Sequence, residues 1–99
     1  LVLVIGDLAG CGSSSSSASS RISIKNFTFR PPTLVVKTGQ TITITNQDTT
    51  LHGLEADDRS FSAGSINPGR SQTIVVSKPG RFSYHCTFHA SMTGVITVK

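Results

Sequence analysis

Tryptophan is absent from the sequence, tyrosine and methionine occur once each, and cysteine only twice. Tyr84-x-Cys86 would suit an immunoglobulin-type sandwich, which places an aromatic two residues before its second core cysteine. That fold also wants a central tryptophan and an earlier core cysteine. The only other cysteine, Cys11, lies in an apolar N-terminal segment, so that reading fails. Charged residues are scarce as well, at 14%. The nine basic residues stand singly, with no run and no interleaved aromatics, which argues against a nucleic-acid face. Their balance over the acidic ones, a net charge of +4, can still steer an acidic partner. No apolar run approaches the roughly 20 residues of a membrane-spanning helix, and no helical apolar period of useful length occurs.

The 99 residues bound the chain to one folded domain, and the start of the sequence stands apart from it. Leu1 to Ile5 is apolar, and Leu8-Ala9-Gly10-Cys11 follows. The order Leu, small, small, Cys resembles the lipobox of bacterial lipoprotein signal peptides. The resemblance implies cleavage before Cys11 and lipid attachment to its thiol. Residues 1–10 would then be a partial signal peptide. Residues 11–20 are Ser-rich and are expected to form a flexible tether with a reach of roughly 16–19 Å. A disulfide between Cys11 and Cys86 is the competing arrangement, but a serine tract would not hold Cys11 in a core. The expected location is extracytoplasmic and membrane-anchored, at the surface or in the periplasm of a prokaryote.

Residues 21–99 carry the fold. They are few for a stable core, and a bound metal would help. Short alternating runs recur: "ISIKNFTF", "TLVVK", "QTITIT", "SQTIVVS", "RFSYHC" and "GVITVK". "KTGQ", "NPGR" and "KPGR" separate them with turn chemistry. The pattern predicts about seven strands in two packed antiparallel sheets, an all-β sandwich. In the first run, Ile22 and Ile24 fall out of phase with Phe27 and Phe29, which predicts a bulge or bend at Lys25-Asn26. Residues 46–67 show the weakest periodicity and read as a long functional connection. Its acidic cluster, Glu55, Asp57 and Asp58, reads as solvated.

"FSYHCTFHASMTG" concentrates the chemistry. Strand alternation puts Phe82, Tyr84 and Cys86 on the core face and His85 on the outer one. His85 is therefore expected at the surface. Beyond Cys86 a loop can turn His89 and Met92 toward the same point. The one remaining histidine, His52, can join them if two loops meet at one end of the sandwich. Two imidazoles, a thiolate and a thioether suit copper better than zinc, and match an electron-transfer site with a weak axial methionine. A structural zinc site would use more cysteine or histidine. A catalytic Cys-His pair would need a third group to orient it, and none is evident. No enzyme is expected.

The order His52, Cys86, His89, Met92 and the spacing C-x-x-H-x-x-M resemble the cupredoxins, with "GQTITITNQD" and "TGVITV" as matching flanks. The resemblance implies a Greek-key sandwich of about seven to eight strands, one copper ion, and single-electron transfer with a redox protein partner. The alternative use of the same ligands is copper buffering or trafficking. It further implies that the Gly53 amide donates to the Cys86 sulfur. Gly53 lacks the side chain that relatives often carry there, so its link to Thr87 is expected to be missing and the site looser. Phe88, where relatives often have proline, is expected to replace rigidity with packing. Leu51, Phe88 and Ala90 are expected to surround the exposed edge of His89 as an apolar electron port. A monomer is expected.

Overall fold

The computed structural model describes residues 19–99. Cys11, the signal-like segment before it and most of the serine tract lie outside the described residues. Nine strands follow in order: β1 (Ser19–Lys25), β2 (Thr28–Arg30), β3 (Thr33–Val36), β4 (Thr41–Asn46), β5 (His52–Ala56), β6 (Ser62–Ile66), β7 (Ser71–Val75), β8 (Gly80–His85) and β9 (Thr93–Val98). They form two sheets, ordered β2-β1-β4-β7 and β3-β9-β8-β5-β6. No helix occurs among the described residues.

The sheets pack through their alternating positions. Ile22 and Ile24 of β1, Ile42 and Ile44 of β4, Tyr84 of β8 and Ile96 of β9 are fully buried. Each such side chain contributes about 1.5–3 kcal/mol over its exposed state. β-branched residues fit this pleated, half-buried surface. One contact replaces packing volume with closeness: Tyr84 lies opposite Gly94 in the β8–β9 register, and a Cβ at Gly94 would collide with the Tyr84 ring.

Four expectations need correction. The sheets are mixed rather than antiparallel, because β1 runs parallel to β4 and β3 parallel to β9. The chain leaves the first sheet after β2 and enters the second at β3, across Pro31-Pro32, so the strands that return alongside must cross over. The phase slip after Ile24, expected as a bulge or bend at Lys25-Asn26, is a tight hairpin turn: Lys25 pairs with Thr28, and Asn26 and Phe27 between them have φ of 52° and 57°. The weakly periodic stretch 46–67 contains two strands, β5 and β6. β5 is buried at four of its five positions, which erases the alternation that would have marked it. β1 also begins two residues before Arg21, with Ser19 and Ser20 paired to Thr41 and Ile42.

The topology gives the molecule two poles. β1 and β4 run together toward Lys25 and Asn46, β8 ends at His85 beside the start of β9, and β5 begins at His52. Ser19, Thr41 and Gly80 mark the opposite pole.

Candidate metal centre

Cys86 follows directly on β8, in phase with Tyr84, and its side chain is buried. Tertiary register fixes its direction, and the next six residues form a tight loop. The Cys86 N–H donates to the Met92 carbonyl (3.0 Å), Met92 N–H to the His89 carbonyl (2.9 Å), and His89 N–H to the Cys86 carbonyl (3.3 Å). These bonds fold His89 back toward the sulfur and bury Met92. His52 arrives from the other side, as the first residue of β5.

Its position is set by Asn46, the buried last residue of β4. Asn46 Nδ2 donates to the Thr50 carbonyl (2.8 Å) and to the Ile66 carbonyl (2.9 Å), while its Oδ1 accepts from the Asp48 N–H (2.9 Å). One side chain thereby ties the 46–52 connection to the end of β6. A buried amide satisfied in this way is worth more than its modest net energy, since any unpaired group would cost its full desolvation.

The result is a cluster of His52, Cys86 and His89, whose ligand atoms all lie within 4.8 Å of one another. Each histidine Nδ1 is 3.7 Å from the Cys86 sulfur. Bond lengths of the zinc kind, about 2.0–2.1 Å to nitrogen and about 2.3 Å to sulfur, would need nitrogen–sulfur separations near 3.7–3.8 Å in a trigonal plane. Both nitrogen–sulfur separations therefore suit a first-row ion. Among the described residues Cys86 is a free cysteine. Two imidazoles, a thiolate and a buried thioether in the same loop favour copper over zinc, and the set fits one copper ion.

The surroundings orient these donors. His52 Nε2 lies 2.9 Å from Asp48 Oδ2. A proton on Nε2, donated to that carboxylate, leaves the Nδ1 lone pair facing the sulfur, the usual way a second hydrogen bond selects the tautomer of a ligating histidine. Burial pushes the Asp48 carboxyl up, but hydrogen bonds from the Phe27 amide, the His52 ring and the Asn26 amide outweigh it and hold the group below the usual carboxylate range. The Gly53 N–H donates to the Cys86 sulfur at 3.4 Å.

The looser junction expected at Gly53 is not what the structure shows. A Cβ there would collide with Thr87 Oγ1, and would lie 2.9 Å from the Gly64 carbonyl and 3.4 Å from Phe88 Cε2. Thr87 and Phe88 already fill the space a side chain would take, so the two ligand-bearing segments touch through close packing. Leu51 is half-buried, Ala90 exposed, and Phe88 half-exposed beside the half-buried His89. His85 stands apart from the cluster on the outer face, with Nδ1 2.7 Å from Asp57 Oδ1 and Nε2 3.6 Å from Glu55 Oε1. The acidic group read as solvated thus includes a strand residue, Glu55, that pairs with His85.

Two residues at the site were missed. Asp48 had a weak signal, four residues before His52 and just past an alternating strand. Phe27 had none, because the phase slip beside it points equally to a bulge or a bend. Its ring meets His52 and His89 edge-on, with centroids 5.1 and 5.0 Å apart.

Comparison with known proteins agrees with this fold. No curated protein matches the chain in sequence. Among solved structures, a reduced Cu(I) form of an amicyanin variant at pH 4 superposes with a TM-score of 0.75 at 23% identity, over 82% of each chain. The reduced state of another amicyanin variant gives 0.75 at 23% identity over 87% of each. A purple cupredoxin from Nitrosopumilus maritimus gives 0.72 at 26% identity, over 81% of this chain and 99% of that one. The family description "cupredoxin-like domain" matches residues 1–98. By that match and by its two-sheet architecture, the chain belongs to the cupredoxin-like family.

Proposed function

We propose that the chain is a single-electron carrier rather than an enzyme, with one copper held by His52, Cys86 and His89 and more weakly by Met92. The observation that carries this reading is the Cys86 sulfur set between two Nδ1 atoms at 3.7 Å, with the Gly53 amide also directed at it. Bound copper would supply a one-electron Cu(II)/Cu(I) couple. The protein's part is to hold the donors still. His52 is pinned through Asp48, Cys86 by β8, and His89 by the hydrogen-bonded loop that ends at Met92. Little movement of these groups between oxidation states means little reorganisation during transfer. The amide hydrogen bond stabilises negative charge on the sulfur and so tunes the potential.

Electrons would pass at the edge of His89, which is partly exposed while His52 is fully buried. Leu51, Phe88 and Ala90 supply an apolar rim for a redox protein partner. Lys25 and Arg70 are exposed at the same pole, next to Asn46 and the start of β7, and favour a partner with acidic groups. The proposed lipid anchor at Cys11 is compatible with this polarity. β1 starts at the pole opposite His52, so a tether entering at Ser19 would leave the site facing away from the membrane. The carrier would act as a monomer.

The test is the visible and EPR spectrum of the Cu(II)-loaded chain. Cys86→Ser should abolish the intense thiolate-to-copper absorption, and Met92→Gln should keep the colour while lowering the potential. Colour that survives Cys86→Ser would overturn the assignment. A trafficking role would show instead as ready loss of Cu(I) to a chelator together with slow electron self-exchange.

A further inference from the structure

The β1–β2 hairpin brings an unusual residue to the candidate centre. Its two turn residues, Asn26 and Phe27, both occupy the left-handed region. Such two-residue turns prefer Asn-Gly, because glycine takes positive φ without steric cost. Asparagine tolerates the conformation, whereas a bulky aromatic there is an outlier. Strained residues of this kind persist only where their surroundings over-determine them, and they gather at functional sites.

Here the surroundings are Asp48. Its Oδ1 accepts from the Asn26 N–H at 2.6 Å and its Oδ2 from the Phe27 N–H at 2.9 Å, while Oδ2 also lies within hydrogen-bond distance of His52 Nε2, at 2.9 Å. One carboxylate thus locks the turn and one histidine together. The locked turn presents the Phe27 ring almost perpendicular to both imidazoles, at interplanar angles of 87° and 89°. The ring gains nothing as core, since it remains 48% exposed. Its contacts lie with the histidine pair.

We propose that Phe27 is a positioning residue for His52 and His89: an aromatic wedge, set by the Asp48-anchored turn, that fixes the planes of both imidazoles and slows departure of the metal. This rests on the reading of His52, Cys86 and His89 as the copper site. Asp48 holds one imidazole through a hydrogen bond; Phe27 restrains both by contact, and it is the closest aromatic restraint on His89.

The turn geometry allows the ring to be separated from the fold. Phe27→Gly removes the ring yet suits the left-handed backbone, so the metal-free full chain should keep its thermal midpoint. Release of Cu(I) from the loaded chain to an excess of a Cu(I) chelator should be about tenfold faster or more, the range for loss of a supporting contact around a ligand. The Cu(II) EPR hyperfine pattern should shift as well. Phe27→Tyr retains the ring and should restore both the parental release rate and the parental EPR pattern. Parental release from Phe27→Gly would overturn the proposal, as would Phe27→Tyr releasing copper as fast as Phe27→Gly. A parental chain that binds no copper would instead remove the proposed function.

Discussion

Gly53→Ala offers the most direct test of how the fold and the candidate centre are joined. The added Cβ meets two obstacles of different kinds. Thr87 Oγ1 belongs to an exposed side chain, so the collision can be relieved by turning that residue to another rotamer. An unfavourable rotamer costs about 0.5–1.5 kcal/mol. The Gly64 carbonyl, 2.9 Å away, is backbone of the paired strand β6, where Gly53 lies opposite Ser65 and Leu54 opposite Gly64. It moves only if the β5–β6 ladder shifts. Together these place the cost at about 1–3 kcal/mol, the usual range for overpacking. A shifted β5 also carries the Gly53 N–H away from the Cys86 sulfur, so the visible band should move along with the stability. Urea melts of the metal-free chain and spectra of the Cu(II)-loaded chain would measure both. Adding Thr87→Ala to Gly53→Ala should recover the rotamer part of the loss and leave the backbone part. If Gly53→Ala unfolds at the parental midpoint and keeps the parental spectrum, the close approach of the two segments is not what sets the site.

Three further outcomes follow from particular side chains. The Tyr84 hydroxyl is buried with no hydrogen-bond partner among the described residues, and desolvation pushes its pKa well above the ordinary value of 10.0. Stability linked to Tyr84 is therefore present below that ordinary value and lost as pH rises beyond it, because only the unfolded chain ionises readily. Tyr84→Phe should match or exceed parental stability, by about 1 kcal/mol where the orphan hydroxyl is costly, and should flatten the alkaline loss in urea melts on either side of the tyrosine range; a marked destabilisation would contradict the unpaired hydroxyl. His85→Ala should leave the copper spectrum unchanged and stability nearly so, since partly exposed ion pairs contribute little; a lost band would contradict its outward placement. His89→Gly should regain its visible band when imidazole is added, because His89 is partly exposed, whereas His52→Gly should not, because His52 is fully enclosed; equal rescue of both would refute the asymmetry of the pair.

The parts of this architecture legible in the sequence are those governed by local period. Alternation in "RFSYHC" put Tyr84 and Cys86 inward and His85 outward, and the structure has them so. Alternation in "QTITIT" likewise put Ile42 and Ile44 in the core. β5 escaped the same reading because it lies between β8 and β6 and is covered on both faces near His52 and Gly53. A period of two vanishes when both faces are buried. The hairpin at Asn26 and Phe27 left a trace, the change of phase after Ile24, but a phase change alone does not separate a bulge from a reversal. The usual sign of reversal is a glycine, and phenylalanine stands in its place. Asp48 was hidden for another reason: its partners, Asn26 and Phe27, are 22 and 21 residues away. Only the parallel pairing of β1 with β4 brings them together.

That pairing also gathers the polar contacts that surround the donors. The polar bonds that place the donors run from protein to protein: Asn46 to Thr50 and Ile66, Asp48 to Asn26, Phe27 and His52, and the Gly53 amide to the Cys86 sulfur. Most begin from the last residue of β4 or the connection after it, so this short stretch carries the registration of the β1–β2 hairpin, β5 and β6 at once. A metal that had to assemble its own ligands would spend binding energy on ordering them. Hydrophobic burial along β1, β4 and β8 brings the segments together, and the buried Asn46 amide and the Asp48 carboxylate fix their relative positions. Under the proposed reading, affinity would follow how well the ion suits these donors, and potential would follow the contacts at Gly53, Phe27 and Asp48 that limit their movement.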